Sequence, residues 1–313
     1  MSDINPGQDV RSMKEKWRDF SARAGASFAA AGRSVKIGFA KLFSNRQACA
    51  GFCIIVFFVL VAIFGPLIFP YDVTTNYAER FLPPSWEHPF GTDEMGRDIF
   101  RQLISGTGNV LQIAFYTGLI TVAVGTLLGI ISGYVGGIVD KLIQGFANIV
   151  LTIPSFPVFL MLAALFTIES PIELALALSA WSWAGLCRSV RAQVMSIRER
   201  DFIQICSVMR MSKFHIIVRE LFPNIISYVL INFIVAVRNA ITGSVGIMML
   251  GLAAYDPTNW GSMLERARNI GLVNPKVVPL LLTPLLAIML FQIGTVLLSN
   301  GMDEIMNPRL RVN

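Results

Sequence analysis

Arg238, followed by Asn239, interrupts a stretch from 221 to 255 that holds no other charged residue. If that stretch is helical, Arg238 lies about 14 residues, or ~20 Å, along it. A charge at that depth in an apolar helix faces a water-filled cavity or pairs with a polar group, because lipid cannot solvate it. Both readings of Arg238 stand: a cavity-lining cation, or a snorkelling or interhelical structural pair. Other chemistry is sparse. No GxxxxGK[ST] run occurs, so nothing here cradles the phosphates of ATP. The two histidines, His88 and His215, are expected on opposite sides of a membrane, which rules against a two-histidine metal site or a Ser-His-Asp triad. Acidic pairs within the apolar runs, the mark of a proton relay, are missing. Cys49, Cys53, Cys187 and Cys206 lack metal spacing and read as small core residues, with no disulfide framework. If this chain moves a solute uphill, the energy comes from a partner.

The elements that must position these residues are membrane helices. The chain has 313 residues, of which 54% are hydrophobic and 15% are charged, against roughly a quarter charged in soluble domains. Uncharged runs cover 47–71, 102–139, 142–168, 174–187 and 277–302. A bilayer core of ~30 Å takes about 20 apolar residues as helix, and lipid forces the backbone to satisfy itself within each span. The pattern predicts an all-α polytopic membrane protein with about six transmembrane helices, near 48–69, 109–133, 143–168, 171–188, 224–250 and 278–300. Residue 48 is too far along for a cleaved leader, and the first span is read as a retained helix. With both ends in the cytoplasm, 19 of the 26 Lys and Arg residues fall on the inner side and six on the outer, with Arg238 inside a span. The net charge of +6 thus reflects topology and anionic lipid, not nucleic acid. Residues 1–47 form a cytoplasmic segment carrying a basic amphipathic helix from Met13 onward, suited to a membrane surface. Residues 48–313 form the transmembrane domain, with an external loop at 70–108 and a cytoplasmic loop at 189–223.

That cytoplasmic loop contains "RERDFIQICSVMRMSKFHIIVRELFPN", residues 198–224. Asp201 to Met209 predict two helical turns in which Phe202, Ile205, Cys206 and Met209 make one apolar stripe. Ser212 is placed to cap a second helix running to Leu221, and Pro223 to open the fifth span. Such a helix–break–helix unit is too polar to insert and too apolar to be merely solvated. It fits a groove on a partner, or else lies on headgroups.

Elsewhere, Gly125, Gly129 and Gly133 repeat every four residues, which lets helices approach closely. Pro154 and Pro157 predict a kink near the start of the third span. In the external loop, "HPFGTDEMGRDIFRQLISG" (88–106) reads as a turn at Gly91-Thr92-Asp93 followed by a short amphipathic helix from Asp98 to Leu103. A packed turn and a surface that touches a partner are both open. In 251–276, Asp256-Pro257 starts a turn, Trp260 suits a membrane interface, and Met263 to Ala267 suit an amphipathic turn on the membrane face.

On these motifs the sequence resembles the permease subunits of bacterial ABC importers, in particular the second permease of the oligopeptide/dipeptide type, over roughly 40–313. The resemblance rests on "HPFGTDEMGRD", "GYVGGIVD" (133–140) with Pro154, "LGL" (250–252) with Pro257, Trp260-Gly261 and Met263-Leu264, and "NPRLR" (307–311). It implies a type I importer permease fold in the bacterial inner membrane. It also implies four kinds of partner: a second homologous permease, two ATP-binding subunits that carry ATP and Mg, an extracytoplasmic substrate-binding protein, and membrane lipid. No cofactor is expected on this chain. The resemblance makes 198–224 the loop seated in the ATPase, with Arg200, Asp201, Phe202, Ile205, Cys206, Met209, Arg210 and Ser212 as coupling residues. It gives His88, Pro89, Phe90, Gly91, Thr92, Asp93, Gly96, Arg97, Asp98 and Trp260 to the external, binding-protein side. Apart from the resemblance, Arg238, Asn239 and Ser244 are the candidate translocation-path residues; in the cavity-lining reading Arg238 meets substrate oxygens such as a peptide carboxylate. Five positions depart from the family pattern. Arg210 stands at its glycine, Ile205 and Cys206 at its paired alanines, Phe222 at a leucine and Ser244 at an acidic residue. Peptides are implied first; oligosaccharides, nickel or another small solute remain open, as does a non-transporting scaffold or sensor.

Overall fold

A computed structural model describes residues 42–253, 256–271 and 274–306. The basic segment at 1–41 and the "NPRLR" end lie outside the described residues. The helices are α1 (Arg46–Ile68), α2 (Ile99–Val135), α3 (Gly137–Thr152), α4 (Ser155–Leu165), α5 (Pro171–Arg198), α6 (Asp201–Val208), α7 (Phe222–Met249), α8 (Trp260–Ile270) and α9 (Val278–Met306). The long helices run between two ends of a bundle. The loop end carries 70–98 and 256–271; the elbow end carries α6 and the segment leading into α7.

Four described helices are long and apolar enough to cross a membrane, or five if the bent pair α3–α4 is one span. The fourth expected span, near 171–188, lies in the 28-residue α5, whose last three turns carry Arg188, Arg191 and Arg198. Its charge keeps it from reading as a span on composition, and its buried face is taken up by α2. The short helix expected at Asp98–Leu103 is the start of α2. That 37-residue rod is ~56 Å long and reaches beyond the bilayer core. Asp98 does cap it, accepting from the Arg101 N–H at 2.9 Å. The expected kink is present: α3 and α4 meet at 83° around Pro154, because the two prolines remove donors just where a continuous helix would need them.

The tightest seam lies between α2 and α5. A Cβ built on Gly125 would stand 2.9 Å from the Trp183 carbonyl oxygen, one on Gly129 2.7 Å from that of Cys187, and one on Gly133 2.9 Å from that of Arg191. Backbone faces backbone, with Leu186, Val190 and Val194 filling the spaces beside the glycines. This is the small-residue seam read from the sequence, and its spacing of four keeps it on one side of α2. Gly51, Gly294 and Gly301 do the same between α1 and α9.

Replacing Gly129 with Leu should drive these two helices apart and lower stability by roughly 1–3 kcal/mol. Gly145→Ala, where nothing lies within 4 Å of the new Cβ, should be neutral or slightly stabilising. Thermal unfolding of the purified protein in detergent checks both.

Candidate functional site

The elbow is the first candidate surface. Helix α6 starts at Asp201 as expected and ends at Val208, one residue short of the expected Met209, but its predicted stripe is not packed on this chain. Ile205 is 57% and Met209 64% exposed, and Phe202 is also open, while Cys206 is half-buried. Ile203, outside the stripe, anchors α6 instead; it is buried with Ile197, Ile216 and Leu221. Val208 and Phe214 add to the uncovered apolar face. Arg200 and Asp201 are exposed at its start.

The turn after α6 is made at Arg210, whose φ is +52°. The Met211 N–H reaches back to the Cys206 carbonyl at 3.1 Å, the long bond that closes a helix end through a left-handed residue. Glycine adopts this conformation freely; an arginine does so against its own Cβ. Ser212 then caps the next turn, accepting from the His215 N–H at 3.2 Å. The second break expected at Pro223 is not there. Ile216–Leu221 is π-helical and runs straight into α7. The wider turn adjusts the backbone just before the proline, while the Asn224 side-chain amide donates to the Glu220 carbonyl at 2.6 Å.

The loop end is the second candidate. Its motif residues are mostly interior. Thr92, Asp93, Gly96, Arg97 and Asp98 are buried, whereas Pro89 and Phe90 face outward and His88 is partly covered. Asp93 accepts from the Met95 and Arg97 N–H groups, both at 2.9 Å, from Arg97 Nε at 3.1 Å and from Gln102 Nε2 at 2.8 Å. The Leu82 N–H donates to Thr92 Oγ1 at 2.8 Å. His88 Nδ1 lies 2.9 Å from Asp98 Oδ2. Gly91 and Gly96 have φ of +76° and +77°, and a Cβ on Gly96 would fall 1.8 Å from the Asn76 carbonyl oxygen. These residues build the loop and seat it on α2.

Trp260 is a correction. It is not an interfacial aromatic but wholly buried, edge-on to Phe58 at 5.7 Å, with its indole N–H donating to the Leu103 carbonyl at 3.2 Å. Met263 and Ala267 likewise pack on Ile99, Val277 and Leu280, not on lipid, and belong to a full helix, α8. The reason is Gly106, whose missing side chain lets the Thr258 backbone lie directly on α2. Arg266, on the other side of α8, joins the two loops. It donates to Gln102 Oε1 and to the Pro257 carbonyl, both at 2.5 Å, and its Nε lies 3.4 Å from Glu94 Oε1. That last contact is an ion pair without hydrogen-bond alignment, and Glu94 Oε2 is buried with no hydrogen-bond partner. Burial holds the Glu94 carboxyl above its ordinary range, more than Arg266 and Arg97 lower it. Burial also pushes the Arg266 guanidinium down.

A cleft of about 750 Å³ opens where the α3–α4 bend faces α5 and α7. Asn239 and Thr242 line it beside Phe156, Trp181 and Ser182. Arg238, next in sequence, is half-buried and outside that lining, and its carbonyl accepts from Gln292 Nε2 at 3.4 Å. Ser244 is buried, its hydroxyl donating to the Ile241 carbonyl at 3.0 Å. Of the three residues expected together, the structure brings only Asn239 to the cleft.

Comparison with known proteins decides the family. Residues 125–312 match the binding-protein-dependent transport system inner membrane component, and residues 36–84 match the N-terminal transmembrane domain of oligopeptide transport permease C. The chain belongs to the binding-protein-dependent transport permeases. It is 33% identical over 276 residues to the dipeptide transport system permease protein DppC of Alkalihalophilus pseudofirmus, covering 87% of this chain and 89% of that one. It is 29% identical to the DppC of Bacillus subtilis (87% and 84% covered) and 28% to the oligopeptide transport system permease protein OppC of the same organism (86% and 87%).

In this permease the sequence reading missed the polar cluster at the elbow end. Arg191 donates through Nε and Nη2 to the two carboxylate oxygens of Asp140, at 2.5 and 2.6 Å. Ser132 also donates to Asp140, and Gln144 Nε2 donates to Ser132 Oγ at 2.9 Å. The signal available was an acidic residue just after Gly136-Gly137 and an arginine beyond the apolar part of α5, 51 residues apart, with nothing in the sequence to pair them.

Two outcomes are expected. Arg210→Gly should stabilise the permease by about 1 kcal/mol by releasing the left-handed strain, read as a higher unfolding midpoint. Because the folded state raises the Glu94 pKa, it holds that proton more tightly than the unfolded chain does. Stability from this group is therefore full below the ordinary glutamate range and lost as pH rises through the raised value. Glu94→Gln should flatten that part of the unfolding-midpoint profile between acid and neutral pH.

Proposed function

We propose that this permease is one half of the pathway of an ATP-driven importer that takes up short peptides. A second permease would complete the pathway, two ATP-binding subunits would supply the energy, and an extracytoplasmic binding protein would deliver the solute. The uncovered apolar face of α6 carries the reading. A short helix anchored by one side and left bare on the other needs an apolar groove on a partner, and nothing in the sequence cradles ATP phosphates. The names and coverage of the curated relatives support peptides as the solute. The excess of Lys and Arg at the elbow end supports that end, with both termini, as cytoplasmic in the bacterial inner membrane. The loop end is then external, where the exposed Pro89 would meet the binding protein, with Phe90 packed edge-on to Phe100 beside it, while the buried Asp93, Arg97 and Asp98 hold the loop in place. Asn239 in the cleft is the residue placed to meet solute. This permease holds no catalytic role; hydrolysis belongs to its partners.

The test is reconstitution with the partner subunits in liposomes. Met209→Asp puts a charge on the exposed face without touching the chain's own core. It should abolish binding-protein-stimulated ATP hydrolysis, and a bifunctional reagent anchored at Cys206 in the unaltered protein should capture a nucleotide-binding subunit. Normal stimulation by the aspartate variant, or capture of no such subunit, would leave a scaffold as the better reading.

A further inference from the structure

Helix α3 is attached to the rest of the bundle in an unusual way. It leaves α2 through Gly136 and Gly137, whose φ values are +70° and +60°, and nothing lies within 4 Å of a Cβ built on Gly137. Its outer face, with Ile138, Leu142, Phe146 and Ile149, is exposed. What holds it is α5. Ala147 and Val150 pack on Trp183, Ala184 and Cys187, and near its first turn the Asp140 carboxylate receives both arms of Arg191. Beyond Thr152 the chain bends by 83° into α4, and that bend walls the cleft. About two turns beyond Arg191, the C-terminal end of α5 reaches the elbow directly. Ile197 packs on Ile203 and Ile216, and Arg198 donates to the Tyr134 carbonyl at the end of α2 at 3.1 Å.

We propose that the Asp140–Arg191 pair is the positioning contact through which movement of the elbow reaches the bent α3–α4 pair that walls the cleft. Two glycines make the α2–α3 junction pliant, so α3 follows whatever grips its start. A two-pronged guanidinium–carboxylate contact fixes orientation as well as distance, which a single hydrogen bond or a lysine cannot do. Ser132, donating to the same carboxylate, ties the grip to α2, so the pair sits where the seam of α2 and α5 meets the start of α3. Movement of α5 is thereby passed to α3 as a rotation of its first turn. Without the pair, Ala147, Val150 and the single Gln144–Ser132 hydrogen bond keep α3 in contact but no longer fix the orientation of its first turn about Gly136.

The inference rests on the importer reading, and the test separates the two. The complete transporter is reconstituted in liposomes, and solute uptake and ATP hydrolysis are measured in parallel. Asp140→Asn should cut the uptake per ATP hydrolysed about five- to thirtyfold, with hydrolysis kept within about twofold of the unaltered complex. Asp140→Arg combined with Arg191→Asp should restore most of the ratio. Arg191→Lys, which keeps the charge and loses the fork, should fall between, and it carries the test if Asp140→Asn does not assemble. An unchanged ratio in Asp140→Asn or Arg191→Lys would overturn the proposal. So would a proportional fall of uptake and hydrolysis, or a charge exchange that restores nothing. An unaltered complex that shows no ATP-driven uptake would overturn the importer reading itself.

Discussion

Backbone contact between α2 and α5 is the constraint on which the other features depend. In lipid, apolar side chains gain nothing by leaving one hydrocarbon for another, so helices are held by close fit. Three glycines on α2 bring the carbonyls of α5 within reach of what would be a Cβ. The result is one double-helix body running from the loops to the elbow. A span with leucines in those places would still insert, but it would stand off by a side chain, and Arg191 and Arg198 would no longer reach the end of α2 and the start of α3.

The two ends of that body are finished differently, and the difference follows from what each must do. At the loop end, Asp93, Asp98 and Gln102 are buried, Arg266 is half-buried, and all are bonded to one another or to backbone, which turns 70–98, 256–271 and the top of α2 into a single cap. Buried polar groups with partners on several elements are rigid, because moving one element strands the others. At the elbow end the polar contacts are few and placed at joints: Arg198 at the end of α2, Arg191 at the start of α3, Ser212 at the start of the segment that becomes α7. Such an arrangement leaves the elements intact and concentrates what freedom there is at Gly136 and the π-helical turn.

What the sequence made legible follows the same division. The apolar runs, the glycine spacing and the proline break each express a local rule, and each has its counterpart in α1, α2, α9, the α2–α5 seam and the 83° bend. Element ends were less legible wherever the far side of the pattern was tertiary. The amphipathic start of α2 read as a separate short helix, and the basic end of α5 as part of the cytoplasmic loop, because their polar residues are matched by other elements, not by water. Trp260 read as interfacial for the same reason: an aromatic with an N–H suits a membrane surface, and only the gap opened by Gly106 reveals that it has a buried acceptor. At the elbow the start of α6 and the Ser212 cap were readable from local chemistry, but the anchor was Ile203 and not the stripe, and the helix after the cap runs on through Pro223. A short amphipathic helix does not announce which of two apolar sides it gives to its own chain.

Arg210 shows how a departure in sequence can leave geometry in place. The left-handed turn that a glycine would make is still made, with the Met211–Cys206 bond closing the helix, so the backbone path out of α6 is dictated by its surroundings and not by the residue's preference. The surroundings in question are Ile203 and Ile216, which bury on either side of the turn and fix where the chain must leave and return. An elbow held by two apolar anchors and one strained residue keeps its shape when pushed from its bare face. The coupling role proposed for α6 would require a piece that passes on a displacement without absorbing it.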